Sequence, residues 1–172
     1  LKVSKLINEQ KASQIIKHIQ YNVLNEEYDM DLFYDNPETA NRSDNHLLES
    51  KKGIYNFVKV DSNTEKTFKE SLEQYEDVRV YVKLPGKFSI ATPLGNYNPD
   101  WAIAFREGSV KHIYFVAETK GSMSSLQLKQ VEQAKIACAR AHFKALAQAG
   151  LINDQHIYDV VSSYEELLNI VR

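Results

Sequence analysis

The chain reads as an α/β protein: a central mixed β-sheet flanked by helices, preceded by a mainly helical N-terminal extension. Three observations predict this. Beyond Gly53, helix-like and strand-like patterns follow in the order of a layered α/β structure: helix, three or four strands, helix, strand. Trp101-Ala102-Ile103-Ala104-Phe105 and His112-Ile113-Tyr114-Phe115-Val116-Ala117 flank Arg106-Glu107-Gly108-Ser109, the make-up of a β-hairpin. Both faces of that hairpin are apolar, as in strands covered on two sides.

Taken in order, the first ~25 residues carry a broken helical stripe of Leu6, Ile7, Ile15, Ile16, Ile19 and Val23. The acidic, aromatic run Glu26 to Asp35 reads either as a solvated connection or as a loop that covers the core or docks on a partner. Asn36-Pro37 opens an expected helix that Gly53 closes. Residues 1–53 are thus expected to form the extension and 54–172 the α/β domain. Within the latter, Ile54 to Val60 is an expected strand, Ser62 to Tyr75 a helix, and Val78 to Leu84 a strand. Phe88 to Thr92 is expected to be extended after the Pro85-Gly86 turn. A long helix should run from about Leu126 to Gln148, with Ser124 and Gln127 as its capping pair and Gly150 as its stop. Ile157 to Val161 and Tyr164 to Val171 complete the pattern as strand and helix. Val131, Ala134, Cys138, Ala141 and Ala145 make a small-residue stripe suited to packing on the sheet.

Composition excludes several classes of function. With 172 residues, 43% hydrophobic and 26% charged, the chain has the make-up of a soluble domain with a real core. No apolar run approaches the ~18 residues of a membrane span, and no signal-peptide pattern opens the chain. A start at Leu1 suggests a piece of something larger. One cysteine, Cys138, forbids an internal disulfide and reads as a small buried helix residue. No Gly-x-x-x-x-Gly-Lys loop is present, so ATP is not bound by that route. The net charge of −2 is spread evenly, unlike the basic face of a domain that grips DNA unaided.

One constellation carries chemistry. If paired hairpin residues sum to about 218, Ala104 faces Tyr114, Ala102 faces Val116, and Asp100 faces Glu118. Directly opposed side chains have Cβ atoms roughly 5 Å apart, and two carboxylates at that distance repel. A divalent cation is the natural compensator, because Mg²⁺ favours one or two carboxylates plus waters and phosphate oxygens. Lys120, two residues beyond Glu118, projects from the same face. Glu65 falls on one helix face with Phe68 and Leu72, so its carboxylate needs a partner. Ser62-Asn63-Thr64-Glu65 is also a capping box, and both readings of Glu65 stand. Gln127, Gln130 and Lys135 read as helix surface more readily than as phosphate contacts, and His142 as a packed or exposed histidine.

Asn98-Pro99-Asp100 and Glu118-Thr119-Lys120, preceded by helical Glu65, resemble the PD-(D/E)xK nuclease superfamily over roughly residues 61–162. The longer strings Asp61 to Lys66, Tyr97 to Ala102, Phe115 to Ser122 and Cys138 to Phe143 are similar to the C-terminal endonuclease domain of type III restriction enzyme Res subunits. The resemblance implies a restriction-endonuclease-like core over 54–172 and a Mg²⁺-dependent DNA endonuclease. It implies Asp100, Glu118 and the Thr119 backbone carbonyl as metal ligands, with Glu65 contributing from the helix. Lys120 would orient the attacking water and offset charge on the phosphorane. It further implies double-stranded DNA as substrate, an upstream helicase/ATPase region of the same polypeptide, through which alone ATP enters, and a methyltransferase (modification) subunit. The setting would be cytoplasmic. A non-cleaving DNA- or partner-binding domain of the same fold is the alternative.

Overall fold

The alternation of Trp101, Ile103 and Phe105 with Ala102 and Ala104 sets the layering of the molecule: the large side chains are buried, the alanines half-buried. In the computed structural model residues 19–22, 46–106, 108, 114–119, 126–152 and 156–172 are described, with side chains left out at 114–119, 126–130 and 156. The elements are β1 (Leu47–Glu49), β2 (Phe57–Lys59), α1 (Asn63–Gln74), β3 (Val78–Lys83), β4 (Trp101–Phe105), β5 (Tyr114–Thr119), α2 (Leu126–Gln148), β6 (His156–Val161) and α3 (Tyr164–Val171). A four-stranded sheet has the order β3-β4-β5-β6. Its first two pairings are antiparallel and β5–β6 is parallel, so the sheet is mixed, as expected. Ala104 pairs with Tyr114 and Ala102 with Val116, the register the sum of 218 requires.

Successive strand residues point to opposite faces, so each face of the sheet receives its own cover. On one face Tyr81, Trp101, Ile103, Phe105 and Val161 meet Phe68 and Leu72 of α1 and Tyr164, Leu167 and Val171 of α3. On the other, Tyr158 and Val160 of β6 meet Ile136, Ala139 and Phe143 of α2, with Ile90 and Tyr97. Phe143 stacks on Tyr158 with ring centroids 5.2 Å apart. This is a small mixed α/β domain with helices on both sheet faces, compatible with a restriction-endonuclease-like fold. The inner face of α2 meets the expected small-residue stripe only at Cys138 and otherwise runs through Ile136 and Ala139. Ile136, Cys138 and Ala139 are buried, whereas Ala134, Ala141 and Ala145 are half-buried, because the bulk of Ile136 and Phe143 fills the space against Tyr158.

The helix ends follow their chemistry. Ser62 accepts from Glu65 N and caps α1, and Ser163 accepts from Glu166 N and caps α3. Gly150, at φ +72°, ends α2. Its N–H bonds to Ala147 O at 3.0 Å and that of Leu151 to Leu146 O at 3.0 Å, the paired bonds of a Schellman motif.

Several expectations require correction. The helix expected up to Gly53 is absent from its described part: Leu47–Glu49 is a strand paired with β2 in a separate two-stranded sheet. Non-local bonds outweigh local propensity there, including Val60 N to His46 O at 2.9 Å and the Lys69 ammonium on Glu49 O. Gly53 is no helix stop; a Cβ on it would lie 2.5 Å from Ser50 Oγ. The strand expected over 54–60 is reduced to Phe57–Lys59, while Gly53 makes one parallel bridge to Tyr81. The stretch 88–92 contributes only the bridge Ile90–Tyr97. Of the N-terminal extension expected to be helical, Ile19 to Asn22 are irregular, and Tyr21 donates to Ala91 O at 2.8 Å. The rest of the extension up to residue 45 lies outside the described residues, as does the Ser124 cap. No described helix is long and apolar enough to cross a membrane.

Candidate active site

Asp100 owes its place to the two residues before it. The Asn98 amide donates to Gly86 O at 2.7 Å and Phe88 O at 2.5 Å, closing the loop that leaves β3. Pro99 is fully buried. Leu84 N donates to Asp100 O at 2.8 Å, extending the β3–β4 pairing by one step. The Asn-Pro pair thus anchors the backbone on which Asp100 stands, half-buried at the entry to β4.

Across the sheet, Trp101 pairs with Ala117. The β4–β5 pairs end there, one step short of Asp100 and Glu118. The Glu118 backbone pairs with Val160 of β6, and that of Thr119, the last residue of β5, with Val161. Glu118 therefore stands near the end of β5, its backbone held by β6. Lys120 lies outside the described residues, as do the side chains of Glu118 and Thr119.

Glu65 approaches the same region from the first turn of α1. Its N–H donates to Ser62 Oγ at 3.1 Å, and its Oε2 accepts from Asp61 N at 2.9 Å, so the capping arrangement forms. Its Oε2 also accepts from Lys83 Nζ at 2.5 Å, and Lys83 Nζ reaches Asp61 Oδ2 at 2.6 Å. Burial alone would lower the Lys83 pKa, but its hydrogen bonds to Asp61 and Glu65 prevail and hold it above the usual lysine range. The hydrogen bond from Lys83 in turn holds the Asp61 carboxyl below its ordinary range, against a smaller opposing effect of burial.

Asp61, Glu65, Lys83, Asn98, Pro99 and Asp100 line one cleft of about 410 Å³, whose other walls include Tyr55, Phe57, Lys59 and Pro85. Glu65 and Asp100, far apart in sequence, are thus brought together. The donor set is all oxygen, which suits a hard divalent cation such as Mg²⁺. Among the described residues no group of three His, Cys, Asp or Glu is placed to hold a metal; the Glu118 side chain is not among them.

Lys83 was not singled out from the sequence. Its signal was strand parity: two residues beyond buried Tyr81 and paired with Trp101, it stands on the core-side face, where a lysine needs partners. No described side chain of α2 is among the residues that line the cleft. Lys135 donates to Asn96 O at 3.1 Å, a structural bond rather than a phosphate contact. Arg140 pairs with Asp159. His142 packs edge-on against Tyr21 and Phe143, and burial lowers its pKa. Gln127 and Gln130 have no described side chains.

A family described as an endonuclease domain matches residues 51–163, well over half of the chain. The chain belongs to that endonuclease-domain family. No curated protein and no solved structure matches it. In this endonuclease domain every cleft residue named above falls inside the matched span. Membership points to nuclease activity, within the hydrolases, on a restriction-endonuclease-like domain.

Proposed function

We propose that this endonuclease domain is the cutting module of a type III restriction enzyme, hydrolysing double-stranded DNA in a Mg²⁺-dependent reaction. The observation that supports the reading is the cleft that Glu65 and Asp100 line together; the β4–β5 register, carried one pair beyond Trp101–Ala117, would bring Glu118 opposite Asp100. Asp100, Glu118 and the Thr119 carbonyl would hold the metal, and Glu65 would contribute from α1. A bound Mg²⁺ supplies Lewis-acid stabilisation of phosphate oxygens and a more acidic water. Lys120 orients the attacking water and offsets negative charge as it develops on the phosphorus-centred transition state.

The net charge of −2 supports a division of labour. A domain without a basic face releases few counterions on DNA and so holds it weakly. Grip and recognition then fall to an upstream helicase/ATPase region of the same polypeptide, where ATP is used, and to a methyltransferase subunit, all acting in the cytoplasm. Activity of the isolated domain should be weak or absent.

The test is Mg²⁺-dependent cleavage by the complete enzyme. Even outer-sphere partners of a metal are worth ~10–100-fold, so losing a ligand in Asp100→Ala should cost roughly 100-fold or more in cleavage rate. Lys120→Ala should cut the rate while leaving Mg²⁺ binding in place. Normal cleavage by the Asp100→Ala enzyme would sink the assignment. Wild-type DNA binding without any cleavage or Mg²⁺ uptake would favour a non-cleaving domain of the same fold.

A further inference from the structure

We infer that Lys83 is a positioning residue for Glu65, a clamp that presents one oxygen of the Glu65 carboxylate to the cleft. The inference rests on the nuclease reading of that cleft. Lys83 Nζ and Asp61 N both bond to Glu65 Oε2. Glu65 Oε1 accepts no hydrogen bond from a described residue, although the side chain is only 13% exposed and lines the cleft with Asp100. One oxygen is fixed and the other is left for something that enters the cleft.

The chain contains its own control. Ser163 and Glu166 build the same cap on α3: Glu166 N donates to Ser163 Oγ at 3.3 Å, and Glu166 Oε2 accepts from Ser162 N at 2.7 Å. That glutamate is exposed and has no lysine partner among the described residues. A cap therefore needs no ammonium. At Glu65 a lysine is added from another element, the end of β3, and its side chain is 19% exposed. The Asp61 arm of the trio is 66% exposed, so the pair held away from water is Lys83 with Glu65. Without Lys83 the Glu65 carboxylate would sit largely buried with its charge uncompensated, and it would turn outward towards water.

The test reads Mg²⁺ affinity of the chain by titration calorimetry, with melting temperatures confirming that each variant is folded. Lys83→Met should weaken Mg²⁺ binding by ~10–100-fold, the usual effect of losing a partner that orients a metal ligand. Lys83→Arg, able to pair with both carboxylates, should restore most of it. In the Glu65→Gln background Lys83→Met should weaken binding no further, because one residue acts through the other. Mg²⁺ affinity unchanged in Lys83→Met, or falling by the same factor again in the double variant, overturns the clamp alone. Mg²⁺ binding that survives both Asp100→Ala and Glu118→Ala overturns the nuclease reading itself. Should Lys83→Met not fold, Lys83→Gln, which keeps a donor without the charge, takes its place with the same expectations.

Discussion

Glu73 gathers donors from three parts of the fold. Its Oε1 accepts from Ser50 Oγ at 2.7 Å, Tyr81 OH at 2.7 Å and Lys51 N at 3.1 Å, and Lys69 Nζ stands 3.6 Å away. Burial pushes this carboxyl up, but the bonds from Ser50, Tyr81 and Lys51 N, with the Lys69 charge, outweigh it and leave the pKa lowered. A folded pKa below the unfolded one means that the folded state gains from ionisation. The gain is complete above about pH 4.5, the ordinary value, and is lost as pH falls through the lower folded value. Glu73→Gln should therefore cost about 1–3 kcal/mol at pH 7, the scale of a disrupted charged hydrogen-bond centre. Urea unfolding of both proteins at pH 7 and near pH 3 should show the gap closing in acid. A gap independent of pH would mean that Glu73 acts by shape alone. The same network explains why the residues before Gly53 could not be read locally: what sets Ser50 and Lys51 is a glutamate more than twenty positions away.

At the scale of elements, the caps show which parts of the chain could be read directly. Helices α1, α2 and α3 and strands β3 to β6 lie where periodicity and end signals put them, because their Ser caps, glycine stop and apolar spacing act within a few residues. Ser163, a cap the structure adds at α3, acts over the same short range and gives a test. Its hydroxyl satisfies Glu166 N at the exposed start of α3, so Ser163→Ala should cost about 1 kcal/mol. For a domain of this size that lowers the melting temperature by ~2–4 °C, readable by calorimetry. An unchanged melting point would show that water replaces the cap without loss. Of the candidate site, the β4–β5 register as far as Trp101–Ala117, one pair short of Asp100, was legible because pleat parity and the apolar pattern fix register. Lys83 was not, since a lysine at a strand end looks solvated until Trp101 and α1 are known to cover that face. The same limit hid the β1–β2 sheet and the shift of the α2 packing face towards Ile136 and Ala139.

The two cores lie on opposite faces of one sheet, and whether they unfold together decides how the site behaves under stress. Trp101 is fully buried in the first core, with ring centroids 5.8 Å from Phe68 and 5.9 Å from Tyr81. Cys138 is fully buried on α2, across the sheet. Trp101→Ala should cost ~3–5 kcal/mol through lost contact and the cavity left behind. That is a large share of the ~5–15 kcal/mol that stabilises a typical domain. If the sheet couples its two covers, the Cys138 thiol becomes reactive only when the whole domain opens. Labelling of Cys138 by a thiol reagent, in the regime where reclosing outpaces reaction, should then accelerate in Trp101→Ala by roughly 100-fold or more, tracking the stability lost. An unchanged labelling rate in a variant whose melting temperature has dropped would mean that α2 opens on its own. The described lining of the cleft comes from α1, β2, β3, the loops beside them and the entry to β4, and this part would in that case keep its geometry while the far layer moved.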